Sequence, residues 1–437
     1  MKRILFFVLL ISVSLEQGIL KRSRRSKHGE DCISDAACEE GLFCKINRCY
    51  TKYEISNLYQ LGLLEKNLCD IKKKCKANEI CVKHRCIDKD TPVQHPINRT
   101  KDIDDVNLIF AGSIYLNAKP YLSGIKSDNT VNYDHLFAHI KKEIKNADLA
   151  IVSQQTPFFI NEEGQKLVKN AKNTPKELGD AIVNAGFRVV LNACSTIYSH
   201  KEKGITDTIN FWKTKYPDVH ILGISSTLEE SENDYFIYNE NNIKIGIINY
   251  SGFVGSNIPK KSKYMVNIIS KNKVEETVEK IKSQVDFIVV CINWGDKTSL
   301  TPNKIQIKWA RELASLGVNL IIGNYPVNTQ PVTLVKADNG NTALVFFSLG
   351  VLIGDNGKKT SALGALANII ISKAGDKTYI SSYNLIPTLN HKSGDIYTVY
   401  ELSDYDEDYG KEIDKKFSLQ KLRKDCKKMM GAFAHCG

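Results

Sequence analysis

The chain has 437 residues, 42% apolar and 25% charged, with 60 Lys and Arg against 49 Asp and Glu and a net charge of +11. These values exclude a disordered chain, a collagen-like fibre and a multi-pass membrane protein. At this length the basic excess does not indicate a nucleic-acid binder. There is room for two or three domains of about 150 residues each.

The first 18 residues read as a secretory signal peptide: Met1-Lys2-Arg3, an apolar run from Ile4 to Val13, and small residues at Ser12 and Ser14. The apolar run is too short to span about 30 Å of hydrocarbon. Residues 19–31 form a basic stub, in which Arg22-x-Arg24-Arg25 has the spacing that proprotein convertases cut. A merely solvated basic segment is the alternative. No later run is long enough for a membrane span and no hydrophobic tail ends the chain, so the expected product is secreted, in the secretory pathway or outside the cell. Asn98 and Asn249 stand in N-x-S/T triplets and are candidate glycan acceptors.

Cys32, Cys38, Cys44 and Cys49 have the spacing C-x5-C-x5-C-x4-C, and Cys69, Cys75, Cys81 and Cys86 repeat it. In an exported chain this predicts two small disulfide modules, 32–49 and 69–86, whose bridges replace a core that so few residues cannot build. Four cysteines allow three pairings, and spacing does not choose among them. A zinc site is the rival reading, but the close C-x2–4-C pair it favours is absent. The spacing resembles the short cysteine-rich modules of Dickkopf-type secreted proteins, which implies interaction surfaces. Residues 50–68 link the modules, and Ile55, Leu58, Leu61, Leu63 and Leu64 there suit a short amphipathic helix. Lys72, Lys73, Lys74 and Lys76 make a basic loop that reads first as a solvated face and otherwise as a contact for sulfated glycans or anionic lipid.

A linker at 87–104, with Pro92 and Pro96, precedes a larger region, 105–400, where strand-like runs alternate with helical patterns. Val106–Ala111 reads as a strand. Leu136, Ile140 and Ile144 fall on one helix face. Leu149–Val152 is the next strand, and Thr174-Pro175-Lys176-Glu177 reads as a capping box opening a helix that stops near Gly186. Strands follow at 188–191, 243–248 and 287–291. A helix from about Lys304 to Leu316 ends at Gly317, and buried-type strands follow at 320–322 and 344–347. The expected class is α/β, with mixed sheets flanked by helices and a site in the loops at the carboxyl ends of strands. Residues 401–437 read as a charged surface tail, helical in its basic half, and Cys426 most simply pairs with Cys436.

Five segments at these strand ends, within roughly 105–375, resemble the bacterial capsule-synthesis CapA (poly-gamma-glutamate synthesis) family, relatives of the calcineurin-like metallophosphoesterases. They are Asp148–Pro157, Gly186–Thr208, Trp294-Gly295, Gly323–Pro331 and Ser348-Leu349-Gly350. The resemblance implies a metallophosphoesterase-type sandwich whose loops hold metal ions. The ligand positions depart from it. The first Asp is Ser113, and the Glu of Asn-Leu-Glu is Gln155. Asn-Asn-His is Cys194-Ser195-Thr196. The His before Trp294 is Asn293, the Gly-His-His-Pro-His imidazoles are Asn324, Tyr325 and Val327, and the Asn of Ser-Leu-Gly-Asn-Phe is Val351. Such neutral groups offset the desolvation of a divalent cation poorly.

The resemblance therefore implies a degenerate pocket with no catalytic residue, no metal and no cofactor. It also places Cys194 and Cys291 at strand ends facing that pocket, either joined by a disulfide that staples it or present as two buried free thiols. His200 with Asp207 and Ser195 or Ser199 has the composition of a nucleophile and base, but reads better as a solvated loop. His135 and His139 are a helical i, i+4 pair without an acidic third ligand. The expected function is a secreted, non-catalytic binding protein with an extracellular protein or glycan as ligand. An active metal-dependent hydrolase or ligase, acting on a phosphoester or anionic polymer, is the first alternative. A structural component of an extracellular coat or secretory granule is the second.

Overall fold

The computed structural model describes residues 42–45, 48–51, 79–82 and 85–88, and residues 104–436 apart from 117, 159–173, 355–362, 395, 431–433 and 435. The signal peptide, the basic stub, Asn98, the helix expected between the cysteine modules, the Lys72–Lys76 loop and most of the modules lie outside the described residues. The chain divides into two compact units, Met1–Asn98 and Arg99–Gly437.

In the first unit, β1 (Leu42–Lys45) pairs antiparallel with β2 (Arg48–Thr51), and β3 (Glu79–Val82) pairs in the same way with β4 (Arg85–Asp88). Cys44 lies opposite Cys49 and Cys81 opposite Cys86, so the sequence repeat is also a repeat of backbone register.

The second unit opens with β5 (Asp104–Ile114) and a short helix α1 (Ala118–Leu122). The helix expected around Leu136, Ile140 and Ile144 is instead a 3-10 turn, Asp134–Phe137, followed by the single-turn α2 (Lys141–Lys145). The three apolar residues are nevertheless fully buried, so the pattern located the buried face but not the continuity of the helix. Next come β6 (Leu149–Gln154), α3 (Lys176–Ala185), β7 (Val189–Leu191), α4 (Lys201–Lys215), β8 (His220–Leu222) and α5 (Leu228–Glu232). Gly186, at φ 117°, closes α3 as expected. The capping box does not form: the Thr174 hydroxyl donates to the Thr156 carbonyl at 2.9 Å, and Pro175 is the cap residue. A tertiary partner has displaced a local one.

The chain continues through β9 (Tyr235–Glu240), β10 (Ile243–Ser251), a 3-10 turn at Lys260–Met265, α6 (Lys271–Ile281) and β11 (Phe287–Asn293). Helix α7 (Lys304–Ser315) carries a true capping box between Asn303 and Gln306, which the sequence reading missed. It is followed by β12 (Leu320–Asn324), β13 (Thr329–Lys336), β14 (Thr342–Leu349) and β15 (Val351–Ile353). A long hairpin, β16 (Leu363–Ala374) and β17 (Lys377–Ser393), leads to β18 (Ile396–Glu401) and the helices α8 (Glu407–Ile413) and α9 (Leu419–Met430). The last segment is not a surface tail: Tyr405, Leu419, Cys426, Met429 and Met430 are buried, and Cys426 is bridged to Cys436.

Two mixed sheets result. One has the order β18-β17-β16-β5-β6-β7-β8, with β15 also paired to β5, and the other β13-β14-β12-β11-β10-β9. Strands β5 to β8 are parallel, as are β10, β11, β12 and β14. Alternation assigns their faces. Ile109 and Ala111 of β5 join a core with Leu178, Ile182 and Trp212 of the helices. Ile288, Val290 and Ile292 of β11 join another with Val274, Val278 and Leu313. The alternate residues Leu108, Phe110, Val289 and Cys291 are as deeply buried and face the opposite side. A contact between the two sheets, Phe346 of β14 edge-on to Tyr383 of β17 at 5.9 Å, shows that these faces meet. The architecture is the expected α/β sandwich of mixed sheets flanked by helices.

Candidate functional site

Carboxyl ends of parallel strands from both sheets converge on one buried cluster of polar side chains. Ser113 is near the end of β5, Gln155 follows β6, Cys194, Ser195 and Thr196 follow β7, and Asn293 and Asn324 end β11 and β12. Ser113, Gln155, Cys194, Asn293 and Asn324 are all at most 5% exposed.

Gln155 is the centre. Its Nε2 donates to Ser113 Oγ at 3.1 Å and to Ser153 Oγ at 2.8 Å, and its Oε1 accepts from Asn293 Nδ2 at 3.1 Å. The last bond joins the two sheets across 138 residues of sequence. The Gln155 carbonyl accepts from Cys194 Sγ at 3.1 Å and from the Thr196 hydroxyl. Asn324 lies beside Asn293 in strand register, and its carbonyl accepts from Trp294 N at 3.0 Å. Five of the residues picked from sequence, Ser113, Gln155, Cys194, Thr196 and Asn293, thus form one hydrogen-bonded group. Val327 is set apart, its N–H donating to the Lys297 carbonyl. Tyr325 adopts φ 98°, a left-handed conformation that is rare for a bulky residue, and packs edge-on against Phe253 at 4.8 Å.

The loop after β10 seals this cluster. Gly252 N donates to the Asn293 carbonyl at 2.7 Å, and Gly255 N to the Ser195 carbonyl at 2.8 Å. Sequence reading missed this loop, and it missed Ser153 and Asn249 as parts of the site. Asn249 Oδ1 accepts from Ala193 N at 2.8 Å and its Nδ2 donates to the Cys291 carbonyl at 3.1 Å. Asn249 is 2% exposed with both amide atoms engaged, so the glycan acceptor expected there is overturned. Its place on the same strand face as Ile247 and Ser251 was the available signal.

The disulfide expected between Cys194 and Cys291 is also overturned: both are free, buried thiols. Burial pushes the Cys194 pKa up to about 11 and raises that of Cys291 further, so both stay protonated and neutral at physiological pH. The hydrogen-bonded group around Gln155 therefore offers, among the described residues, hydroxyls, amides and a thiol, and the Gln155 amide is already spent on both sides. This donor set does not fit a divalent metal ion. Among the described residues, no three or more His, Cys, Asp or Glu are grouped to hold one. His135 and His139 have separate partners. His135 Nε2 meets Ser123 Oγ at 3.1 Å, while His139 stacks on Tyr400. Asp207 is held by Lys203 one helical turn away at 2.8 Å.

A titrating group lies beside the site. Asp234 is half-buried and accepts from Gly223 N with both carboxylate oxygens, each at 3.0 Å. Burial outweighs these bonds and the nearby Lys273 and pushes its pKa up to about 7. The unfolded value is about 4, so the contribution of this group to stability is full below that and is lost as pH rises to about 7. Over that window the wild type should lose melting temperature relative to Asp234→Asn. Parallel melting curves for the two proteins would refute the assignment.

The family described as bacterial capsule synthesis protein PGA_cap matches residues 107–356. The chain is 25% identical over 246 residues to the capsule biosynthesis protein CapA of Bacillus anthracis, covering 54% of this chain and 58% of that protein. It is 21% identical over 282 residues to the PGA biosynthesis protein CapA of Bacillus subtilis (strain 168), covering 64% and 71%. The chain thus spans little more than half the length of the first of these relatives. Among solved structures it is similar to a 5'-nucleotidase precursor from Thermus thermophilus, at TM-score 0.41 and 12% identity, covering 65% of this chain and 54% of that one. It is also similar to a calcineurin-like phosphoesterase from Bacillus subtilis, at TM-score 0.38 and 11% identity, covering 75% and 99%.

Proposed function

The chain belongs to the bacterial capsule synthesis protein PGA_cap family, and from that premise we propose that it is a secreted binding protein that keeps the family's scaffold and has given up its metal chemistry. The observation that carries this reading is the Gln155 cluster. Where the resemblance to CapA implies metal ligands, Ser113, Gln155, Cys194, Thr196 and Asn293 are neutral groups bonded to one another, and the loop after β10 bonds to the Asn293 and Ser195 carbonyls. A metal-assisted hydrolase needs converging anionic or imidazole ligands to lower the pKa of bound water. This cluster has none to offer. Export rests on the basic and apolar start of the chain, Met1 to Val13, and an extracellular protein or glycan is the ligand class that the cysteine repeat supports. No described helix is long and apolar enough to cross a membrane.

One experiment tests both halves. The full chain, with its own N-terminus, is expressed in a secreting host. Protein from the medium is incubated with manganese, iron and zinc, desalted, and assayed for metal and for phosphodiesterase activity. The expected result is protein in the medium with almost no bound metal and no activity above a mock preparation. One or two tightly held ions per chain, with activity, would overturn the non-catalytic reading. Retention inside the cell would overturn the secreted one.

A further inference from the structure

A second concave site lies away from the Gln155 cluster, where α5, the Lys260–Met265 turn and α6 come together. The groove has a volume of about 1030 Å³, above what most small ligands fill. Lys260, Lys261 and Lys263 line it from the turn, as one wall, and Lys273 and Lys280 line it from α6, as a second. Against these five lysines the lining holds two acids, Glu232 and Glu276. Lys273 Nζ donates to Ser231 Oγ at 3.1 Å and Lys280 Nζ to Asn233 Oδ1 at 2.5 Å, which fixes the second wall. Lys260 and Lys263 are exposed and make no ion pair among the described residues. Between the walls the floor is apolar: Val266, Ile268 and Ile269, with Tyr264 and the 60%-exposed Leu228 at the margins.

From this arrangement we infer that the groove binds an extended acidic peptide segment of a partner protein, its carboxylates on the lysine walls and its apolar side chains on the floor. Charge complementarity selects the sign of the ligand, and the floor selects its kind. A sulfated glycan would satisfy the lysines but has no apolar side chains for Ile268 and Ile269. A bilayer would satisfy both, but Val266 and Ile269 are buried and Ile268 is half-buried, which leaves Leu228 as the one strongly exposed aliphatic side chain of the lining. The first turn of α6 opens into the groove, with Ser270 Oγ accepting from Lys273 N, and its dipole adds to the attraction for anions. The inference does not depend on the fate of the strand-end cluster, because a catalytically active chain would carry the same groove.

The test uses the full chain and a fluorescent peptide of alternating glutamate and leucine. A lysine-for-glutamate analogue, a heparin fragment and phosphatidylserine-containing vesicles are measured in parallel. The acidic peptide should bind saturably and more weakly as salt rises. The double reversal Lys260→Glu/Lys263→Glu touches only exposed side chains. It should weaken binding about tenfold while leaving the circular dichroism spectrum unchanged. Leu228→Ser should weaken this peptide and leave a pure oligoglutamate unaffected. No saturable binding, equal binding by the charge-reversed protein, or binding of heparin or vesicles in preference to the peptide would each overturn the proposal.

Discussion

Gly223→Ala should be among the most damaging single-methyl substitutions in the second unit. Gly223 sits at φ 95°, where a side chain costs about 1–2 kcal/mol, and a methyl group there would run into the backbone N and the Cβ of Ala193 and into Asn249 Oδ1. Those are the atoms that hold the end of β7 to β10, since Asn249 Oδ1 accepts from Ala193 N at 2.8 Å. The Gly223 N–H is itself held by both oxygens of Asp234, so the backbone cannot rotate away without releasing them. Overpacking and one broken buried hydrogen bond bring the expected loss to about 3–5 kcal/mol in urea denaturation. Gly317→Ala is the control. Its φ is 96°, but a methyl group there meets nothing within 4 Å, so only backbone strain of about 1–2 kcal/mol remains. Equal losses for the two substitutions would show that the β7–β10 junction is not the tight point described.

The contrast between these two glycines also marks what could be read from the sequence. Gly317 announces itself, because it follows a helical pattern that stops. Gly223 does not, because its neighbours Ala193 and Asn249 are brought to it only by the sheets. The central strands were legible for a related reason. Leu149–Val152, Phe287–Cys291 and Leu320–Ile322 are buried on both faces, and a continuous apolar run is a local signal. Strand β17 escaped notice since its exposed, half-buried and buried positions follow no period of two and Pro387 interrupts them. Thr174 and Asn249 were misread because each matched a local motif, a capping box and a glycan triplet, while its real partners were distant in sequence. The strand-end residues of the candidate site were found only through the resemblance to CapA. That frame pointed to positions of which five share hydrogen bonds in the fold, but nothing in it said that Gln155 and Asn293 would bond to each other or that the loop after β10 would cover them.

Gln155→Ala is the second substitution with a large expected effect, and it bears most directly on what the site has become. The side chain it removes is 5% exposed and supplies three hydrogen bonds, one of which crosses between the sheets. Its loss leaves Asn293 Nδ2 without an acceptor in a place that water reaches poorly, and opens a small cavity. The expected cost is about 2–4 kcal/mol. Asn293→Ala should cost less, since Gln155 keeps its two serine partners, and the double variant should show coupling of about 1 kcal/mol between the two residues. Gln155→Glu separates a structural plug from a weakened metal site. It introduces the carboxylate that the resemblance to CapA implies at this position, at nearly the same volume. In a plug the new charge is buried with hydroxyls and one amide for company, so the protein loses stability at neutral pH and regains it as the carboxyl protonates at lower pH. If the strand ends could still hold a metal, manganese would instead bind the variant and raise its melting temperature. The neutral surroundings, with Cys194 held as a thiol and no imidazole in the cluster, favour the first outcome. A manganese-dependent rise in melting temperature for Gln155→Glu alone would show that the strand ends can still hold a metal ion once a carboxylate is present, and would overturn the plug.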